Sequence, residues 1–304
     1  MADRPIEGLN PAYAELPRSE ALLRDAFDVL DEAESLNKPR RRWALFSGGH
    51  DSLTACAVAF AWARERDLPM EAAHIRTGTG VPQTMAYVEQ VCAEQSWPLS
   101  IFDPPVPYRD IVLEHGFPGP GQHGLMYARL KERALRELVR QSKAEFSDRV
   151  MLVTGVRSDE SQRRMRHVER ITRDGAQLWT AAIWNWSKID CAKYAFADLG
   201  LPRSPVVDLM HMSGECRCGA FARPGELAEW MAWFPEETQW IIDLQDEVAA
   251  AGIRAYRWGE RPPRIHREQM AMALGEDWDA APPGILCVGC GPDDNLTDEE
   301  AEAA

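Results

Sequence analysis

The sequence predicts an α/β protein: a parallel sheet with helices on both faces, plus a small C-terminal helical region carrying a four-cysteine metal site. Three observations lead there. Residues 43–63 join a short apolar strand, a glycine turn and an Ala-rich helical run. Strand-like and helix-like runs then alternate as far as residue 199, the pattern of βαβ crossovers and therefore of a parallel sheet. From about residue 206 the alternation stops, and a Cys-X-Cys pair, a Trp-rich helical stretch and a Cys-X-X-Cys pair follow.

An N-terminal extension, residues 1–38, holds one packing helix over 19–36, with Leu22, Leu23, Ala26, Phe27 and Leu30 on a stripe and Ser19 as its cap. A basic linker, Lys38 to Arg42, enters the nucleotide-binding domain expected over 39–205. Its first strand is Trp43–Phe46 and its core helix includes Leu53–Ala63. Met70–Gly80 reads as a second strand ending in a Thr/Gly loop, followed by a helix from Val81 to Ser96 with Pro82 near its first turn. Leu99–Phe102 is the third strand. A Gly/Pro-rich loop over 114–124 leads into an amphipathic helix, Leu125–Ser142. Arg149–Gly155 and Leu178–Trp184 supply the fourth and fifth strands, and Ser187–Leu199 a further helix. Ligands of such sheets sit beyond the carboxyl ends of the strands, so the loops after Phe46, Ile75, Phe102 and Gly155 should converge. Residues 206–292 form the cysteine-bearing region, with one helix over Glu226–Ala251, and the acidic tail 293–304 has too little to bury to order itself.

A chain of 304 residues accommodates one α/β domain and an appendage. A formal charge of −14 excludes a general nucleic-acid coat while leaving room for a local basic site. No apolar run approaches membrane-spanning length, and the N-terminus lacks the basic and apolar regions of a secretion signal. A cytoplasmic protein without a membrane partner is expected. Of seven cysteines, Cys56, Cys92 and Cys191 lie in apolar or helical contexts. Cys216/Cys218 and Cys287/Cys290 form two close pairs, which in a cytosolic chain read as metal ligands rather than disulfides.

Ser47-Gly48-Gly49-His50-Asp51-Ser52 combines residues that permit close backbone approach with the start of a helix, whose unpaired N–H groups and positive dipole end favour an anion. Asp51 and Ser52 can cap that helix or meet a metal or phosphate. The string resembles the pyrophosphate loop of the adenine-nucleotide α-hydrolase-like enzymes, which cleave ATP between its α and β phosphates; it lacks the Gly-Lys-Ser/Thr ending of a Walker loop. Further segments are similar to the phosphoadenosine phosphosulfate (PAPS) reductase-like branch, nearest to its DNA-phosphorothioation members. They are Ile75-Arg76-Thr77-Gly78 with Gln83-Thr84 and Tyr87-Val88; Gly116-Phe117-Pro118 with Leu130-Lys131; Gly155-Val156-Arg157 with Glu160-Ser161 and Arg163; and Trp186 to Asp190 with Leu201-Pro202 and Pro205. Together they cover roughly residues 40–220.

The resemblance implies a Rossmann-like pyrophosphate-loop fold and a set of roles. Ser47, Gly48, Gly49, His50 and Ser52 would hold pyrophosphate, and Asp51 would place Mg²⁺. Thr77, Gly78, Gly155, Glu160, Ser161 and Arg163 would border the nucleotide. Arg157 and Arg163 would stabilise the leaving group and Lys131 add a point charge. Six arginines between Val156 and Gly175 (157, 163, 164, 166, 170 and 173) suit phosphate or sulfate oxygens, or else form a solvated basic face. Arg170 and Arg173 fall further along, on a solvated face or an acceptor-binding rim. Departures are equally informative. Arg76, Gln83 and His50 stand where the family has Asp, Glu and commonly Lys. The C-terminal nucleophilic cysteine of true PAPS reductases is missing after Cys290.

The four thiolates of Cys216, Cys218, Cys287 and Cys290 suffice for a [4Fe–4S] cluster or, alternatively, a structural Zn²⁺. The expected activity is that of an ATP pyrophosphatase adenylating an acceptor for sulfur transfer, with ATP and Mg²⁺. The acceptor is open, nucleic acid or small molecule, and the sulfur donor could be a cysteine desulfurase. The alternatives are a sulfonucleotide enzyme acting on PAPS or its unphosphorylated analogue, and a non-catalytic nucleotide-binding subunit of a modification or defence complex.

Overall fold

The computed structural model describes residues 6, 8–158, 169–253 and 257–260. Strands β1 (Arg41–Leu45), β2 (Glu71–Ile75), β3 (Leu99–Phe102), β4 (Val150–Val153), β5 (Ile171–Asp174) and β6 (Gln177–Thr180) form one sheet in the order β3-β2-β1-β4-β6-β5. All neighbours pair in parallel except β5, which runs antiparallel to β6 at the edge. The central strands are apolar on both faces because both faces are covered. Trp43 and Leu45 of β1 join Val150 and Leu152 of β4 on one side, while Ala44, Met151 and Val153 point to the other. The chain runs outward from β1 through β2 to β3 and then returns to β4 on the opposite side of β1. The crevice at this reversal is where such sheets take ligands, and the glycine loop after β1 opens into it.

Helices α1 (Arg18–Asn37), α2 (His50–Glu65) and α3 (Pro82–Glu94) pack on one face through residues such as Leu30, Trp62 and Val91. Pro17, not Ser19, is the N-cap of α1, and Gly49, not Asp51 or Ser52, is that of α2. After α4 (Tyr108–His115), helix α5 (His123–Tyr127) runs through a π-helical turn, Ala128–Glu132, into α6 (Arg133–Ser142). The helix expected over Leu125–Ser142 is therefore present but carries a wider turn at Lys131. Leu135 and Leu138 of α6 cover the second face, and Ser142 accepts the buried Trp43 indole N–H at 2.9 Å. Next come α7 (Lys188–Ala192), which continues as a π-helical segment (Lys193–Asp198), and α8 (Pro205–Met210).

The single helix expected over Glu226–Ala251 is two: α9 (Glu226–Trp233) and α10 (Glu236–Ala250). Pro235 has no N–H to give and its ring collides with the preceding turn, so Phe234 leaves the helical conformation at φ −137°. These helices build a second core in which Tyr108, Ile111 and Leu130 meet Val206, Trp230 and Leu244. Residues on both sides of position 205 contribute to it. Cys56, Cys92 and Cys191 are buried packing residues, and burial pushes all three thiols up, Cys92 to about 12.

The edge strand β5 is absent from the sequence expectation. Gly175, at φ +56°, begins the two-residue connection to β6. Ahead of β5, Arg170 donates to the buried Asp25 carboxylate of α1 at 2.6 Å, beside Asn185 at 3.0 Å. Arg170 thus ties α1 to the sheet rather than lying on a solvated face, whereas Arg173 is exposed. Arg163, Arg164, Arg166 and the tail 293–304 lie outside the described residues. No helix among the described residues is long and apolar enough to cross a membrane.

Asp25→Ala would leave Arg170 and Asn185 facing a buried gap. We expect a loss of about 1–3 kcal/mol, below that for a fully buried pair because Arg170 keeps some water contact. Arg170→Ala should cost a similar amount and the double variant little more, read by denaturant unfolding. Additive losses under about 0.5 kcal/mol would mean that the pair does not hold α1.

Candidate functional site

The loop between β1 and α2 is shaped by its glycines. Gly48 sits at φ +81°, and a Cβ there would fall 2.7 Å from Thr84 Cγ2. Gly49 has the ordinary φ of −83° and caps α2. The space a side chain at Gly49 would enter is ringed by serines, with Ser213 Cβ at 3.5 Å, Ser47 Oγ at 3.6 Å and Ser52 Oγ at 3.8 Å. Within the loop Ser52 donates to the Gly49 carbonyl at 2.9 Å and accepts the Ser47 N–H at 3.2 Å. The Ser47 hydroxyl, 3.1 Å from Ser52 Oγ, therefore donates to it. Both serine protons are engaged inside the loop, while the N–H groups of Gly48, Gly49 and His50 have no described acceptor, as the open start of a helix requires. The result is a concave, N–H-lined anion site.

Asp51 stands beside it, half-buried. Its Oδ2 is 3.1 Å from Nε of Arg157, whose guanidinium is almost fully buried. The sequence expectation gives Arg157 a contact with the leaving group; the structure places its guanidinium against Asp51, the carboxylate beside the loop. Gly155 makes the approach possible, since a Cβ there would lie 2.7 Å from the Asp51 carbonyl carbon. The second Asp51 oxygen has no described partner and so could meet a cation. His50 packs edge-on against Phe196 at 4.8 Å, with Nε2 3.9 Å from Asp208. Burial, then the Arg203 charge, lowers its pKa below the usual imidazole value, so at neutral pH it supplies no positive charge to the loop. Lys131 lies half-buried in the π-helical turn, a feature frequent at functional sites.

The loop after β2 is occupied by the chain's own cysteine segment. Thr77 is fully buried; its N–H reaches Glu215 Oε1 at 2.6 Å and its hydroxyl donates to the Glu215 carbonyl at 2.6 Å. Thr77 therefore holds Glu215, while Gly78, at φ +78°, stays exposed with open space before it. His74 lies between acceptors, with Nδ1 2.7 Å from the Phe46 carbonyl and Nε2 3.0 Å from Glu215 Oε2. Only the imidazolium satisfies both. Burial alone would lower the His74 pKa, but the Glu215 hydrogen bond and charge outweigh it and raise it. The pair is not legible in the sequence, because the two residues are far apart along the chain and neither belongs to a motif.

Arg217, between the paired cysteines, is buried and donates to the Thr79 carbonyl at 2.9 Å, Thr238 Oγ1 at 3.0 Å and the Glu237 carbonyl at 2.6 Å. Its guanidinium also lies over the Trp230 and Trp240 rings. Tyr108 donates to the Cys218 carbonyl at 2.7 Å, and burial, then Cys218 and Cys216, holds its hydroxyl well above the usual range. Cys216 and Cys218 thus sit on a pinned segment near one side of Tyr108, which fits half of a thiolate ligand set. Cys287 and Cys290 lie outside the described residues, as do Glu160, Ser161 and Arg163. Among the described residues no group of three or more His, Cys, Asp or Glu is placed to hold a metal.

Residues 41–209 match the model of the phosphoadenosine phosphosulfate reductase domain. Among solved structures, a phosphoadenylyl-sulfate reductase from Candida auris, in a phosphate complex, is 18% identical with a TM-score of 0.45 over 63% of this chain and 90% of that one. Yeast FAD synthetase in complex with FAD is 12% identical with a TM-score of 0.38 over 90% of each chain. No curated protein matches.

Two outcomes follow from this geometry. Gly48→Ala meets both a left-handed backbone and Thr84, so it should destabilise by about 1–3 kcal/mol, whereas Gly49→Ala makes only ordinary contacts and should unfold within about 0.5 kcal/mol of wild type. Comparable losses in the two would contradict the loop geometry. The second concerns pH. A raised native pKa at His74 means that the stability from its pair with Glu215 is complete below the unfolded value of about 6.5 and is lost as pH rises through the native one. Melting temperature should therefore fall from about pH 6.5 upward more steeply in wild type than in His74→Gln; parallel profiles would refute the charged pair.

Proposed function

The chain belongs to the phosphoadenosine phosphosulfate reductase family, and from that premise we propose that it is an ATP-using member which adenylates an acceptor oxygen for replacement by sulfur. The observation that carries this reading is the intact loop: an N–H-lined concavity at Gly48–His50 with the Asp51 carboxylate fixed beside it by Arg157. The acceptor oxygen attacks the α-phosphorus, the bond from that phosphorus to the bridging oxygen breaks, and pyrophosphate departs. A sulfur nucleophile then attacks the carbon bearing the adenylated oxygen and expels AMP. The loop N–H groups and the positive end of α2 bind the departing pyrophosphate, and the neutral His50 adds no charge there. Mg²⁺, held through the second Asp51 oxygen, would offset charge on the phosphate oxygens.

Lys131, Gly155, Glu160, Ser161 and Arg163 are proposed to border the nucleotide, and Arg157 to orient Asp51. Cys216, Cys218, Cys287 and Cys290 are proposed to bind a [4Fe–4S] cluster, with structural Zn²⁺ as the alternative. The cysteine site would either deliver sulfur or shape the acceptor pocket. A cysteine desulfurase is a fitting sulfur donor, and nucleic acid or a small molecule a fitting acceptor, in the cytoplasm.

Calorimetry with ATP, with and without Mg²⁺, tests the nucleotide assignment. Wild type should bind ATP more tightly with Mg²⁺, by about tenfold or more if the ion bridges Asp51 and phosphate. Asp51→Ala should abolish that difference, with a lower melting temperature because the buried Arg157 guanidinium loses its carboxylate, and Asp51→Asn, which keeps a side-chain oxygen there, should weaken the Mg²⁺ effect with a smaller loss of melting temperature. Tight binding of PAPS with none of ATP would overturn the reading in favour of a sulfonucleotide enzyme. Protein purified without air should carry iron and sulfide that Cys216→Ala loses; one zinc and no iron would leave a structural site.

A further inference from the structure

Ser213 belongs to the segment that carries the cysteines, more than 160 residues from the glycine loop in sequence. In the fold it completes the ring around Gly49, its Cβ 3.5 Å from where a Gly49 side chain would begin. Its position is fixed from both sides. Thr84 donates to the Ser213 carbonyl at 2.7 Å, the same Thr84 whose methyl abuts Gly48. Two residues on, Glu215 is bound to Thr77 and His74.

Hydroxyl bookkeeping separates Ser213 from the other two serines. Ser52 donates to the Gly49 carbonyl and Ser47 to Ser52, so neither has a proton to offer without breaking the loop's own bonds. Ser213 Oγ accepts the Glu215 N–H at 3.5 Å, and its own proton has no acceptor among the described residues. The residue is half-buried, and its Cβ borders the space in front of Gly49. An anion over Gly48–His50 would be bordered by backbone N–H groups on one side and by the Ser213 side chain on the other, and a turn about the Cα–Cβ bond would bring its uncommitted hydroxyl to the anion.

We infer that Ser213 is a phosphate-binding residue of the loop, donated by the cysteine segment and specific for the phosphate part of the nucleotide. The inference rests on the reading of the loop as a nucleotide phosphate site, whichever nucleotide is bound. A hydroxyl donating to a charged phosphate oxygen is a charge-assisted bond, and its loss should weaken binding about tenfold. Gly49→Ala, whose fold is expected to persist, fills the same space and should weaken phosphate binding at least as much.

The test is calorimetry on the full chain with ATP, inorganic pyrophosphate and adenosine, for wild type, Ser213→Ala and Gly49→Ala, with melting temperature recorded for each. Expected for Ser213→Ala is about tenfold weaker binding of ATP and pyrophosphate, with adenosine and melting temperature unchanged. Unaltered ATP and pyrophosphate affinities would overturn the assignment, and so would an equal loss for adenosine, which would mark Ser213 as a structural support. Should wild type bind PAPS or pyrophosphate but no ATP, the ATP reading falls while the role of Ser213 is still decided on the ligand that binds. Should wild type bind none of them, both fall.

Discussion

The Glu215 carboxylate is the interaction on which the rest of this structure depends. A carboxylate taken out of water is costly unless its oxygens are met by donors. Here one oxygen takes the Thr77 N–H and the other faces His74, whose far nitrogen in turn engages the carbonyl of Phe46. Phe46 is the last residue before the glycine loop. A single hydrogen-bonded line therefore runs from the loop's entrance, through the second strand, to the residue preceding Cys216. It joins parts of the chain that lie more than 130 residues apart.

The segment Glu215-Cys216-Arg217-Cys218 is buried on more than one side, with Cys218 in the second core and Cys216 packed against it. Glu215 and Arg217 reach into the protein and are almost fully buried, each saturated by partners from different elements. Arg217 remains a cation although burial lowers its pKa to about 10, because the Glu237 and Glu215 charges and the faces of Trp230 and Trp240 partly replace its water. With both inward residues fixed, the backbone between them has little freedom, and so the cysteines are presented by a rigid support rather than by a loose loop. Nothing about this segment is periodic in sequence, and its order comes wholly from tertiary contacts.

Legibility follows from how local each determinant is. The sheet's parallel strands, the glycine loop and the helix behind it are encoded within windows of a few residues, by apolar runs, Gly-Gly and an Ala-rich stretch, and these are found where expected. The edge strand Ile171–Asp174 escapes because Thr172, Arg173 and Asp174 lack the apolar run of a doubly covered strand; Asp174-Gly175 was the available signal, and it marked the turn without its strands. Pro235 is likewise a local signal for the break between α9 and α10, which the single helix expected over Glu226–Ala251 does not take into account. The roles of Arg157, Arg170 and Thr77 were out of reach for a different reason. Their chemistry suits a phosphate or a carboxylate equally well, and only the fold supplies Asp51, Asp25 and Glu215 as partners.

The second core has a consequence for any dissection of this protein. A fragment ending near residue 205 contains every strand of the sheet and would look self-sufficient on a topology diagram. Yet Tyr108, Ile111 and Leu130 would lose the Trp230 and Leu244 surfaces that cover them, and Thr77 and His74 would lose Glu215. Such a fragment would expose a contiguous oily face and a stranded imidazole at the mouth of the crevice. The sheet is thus not a detachable module, because it shares a buried core and a buried carboxylate with the segments beyond residue 205.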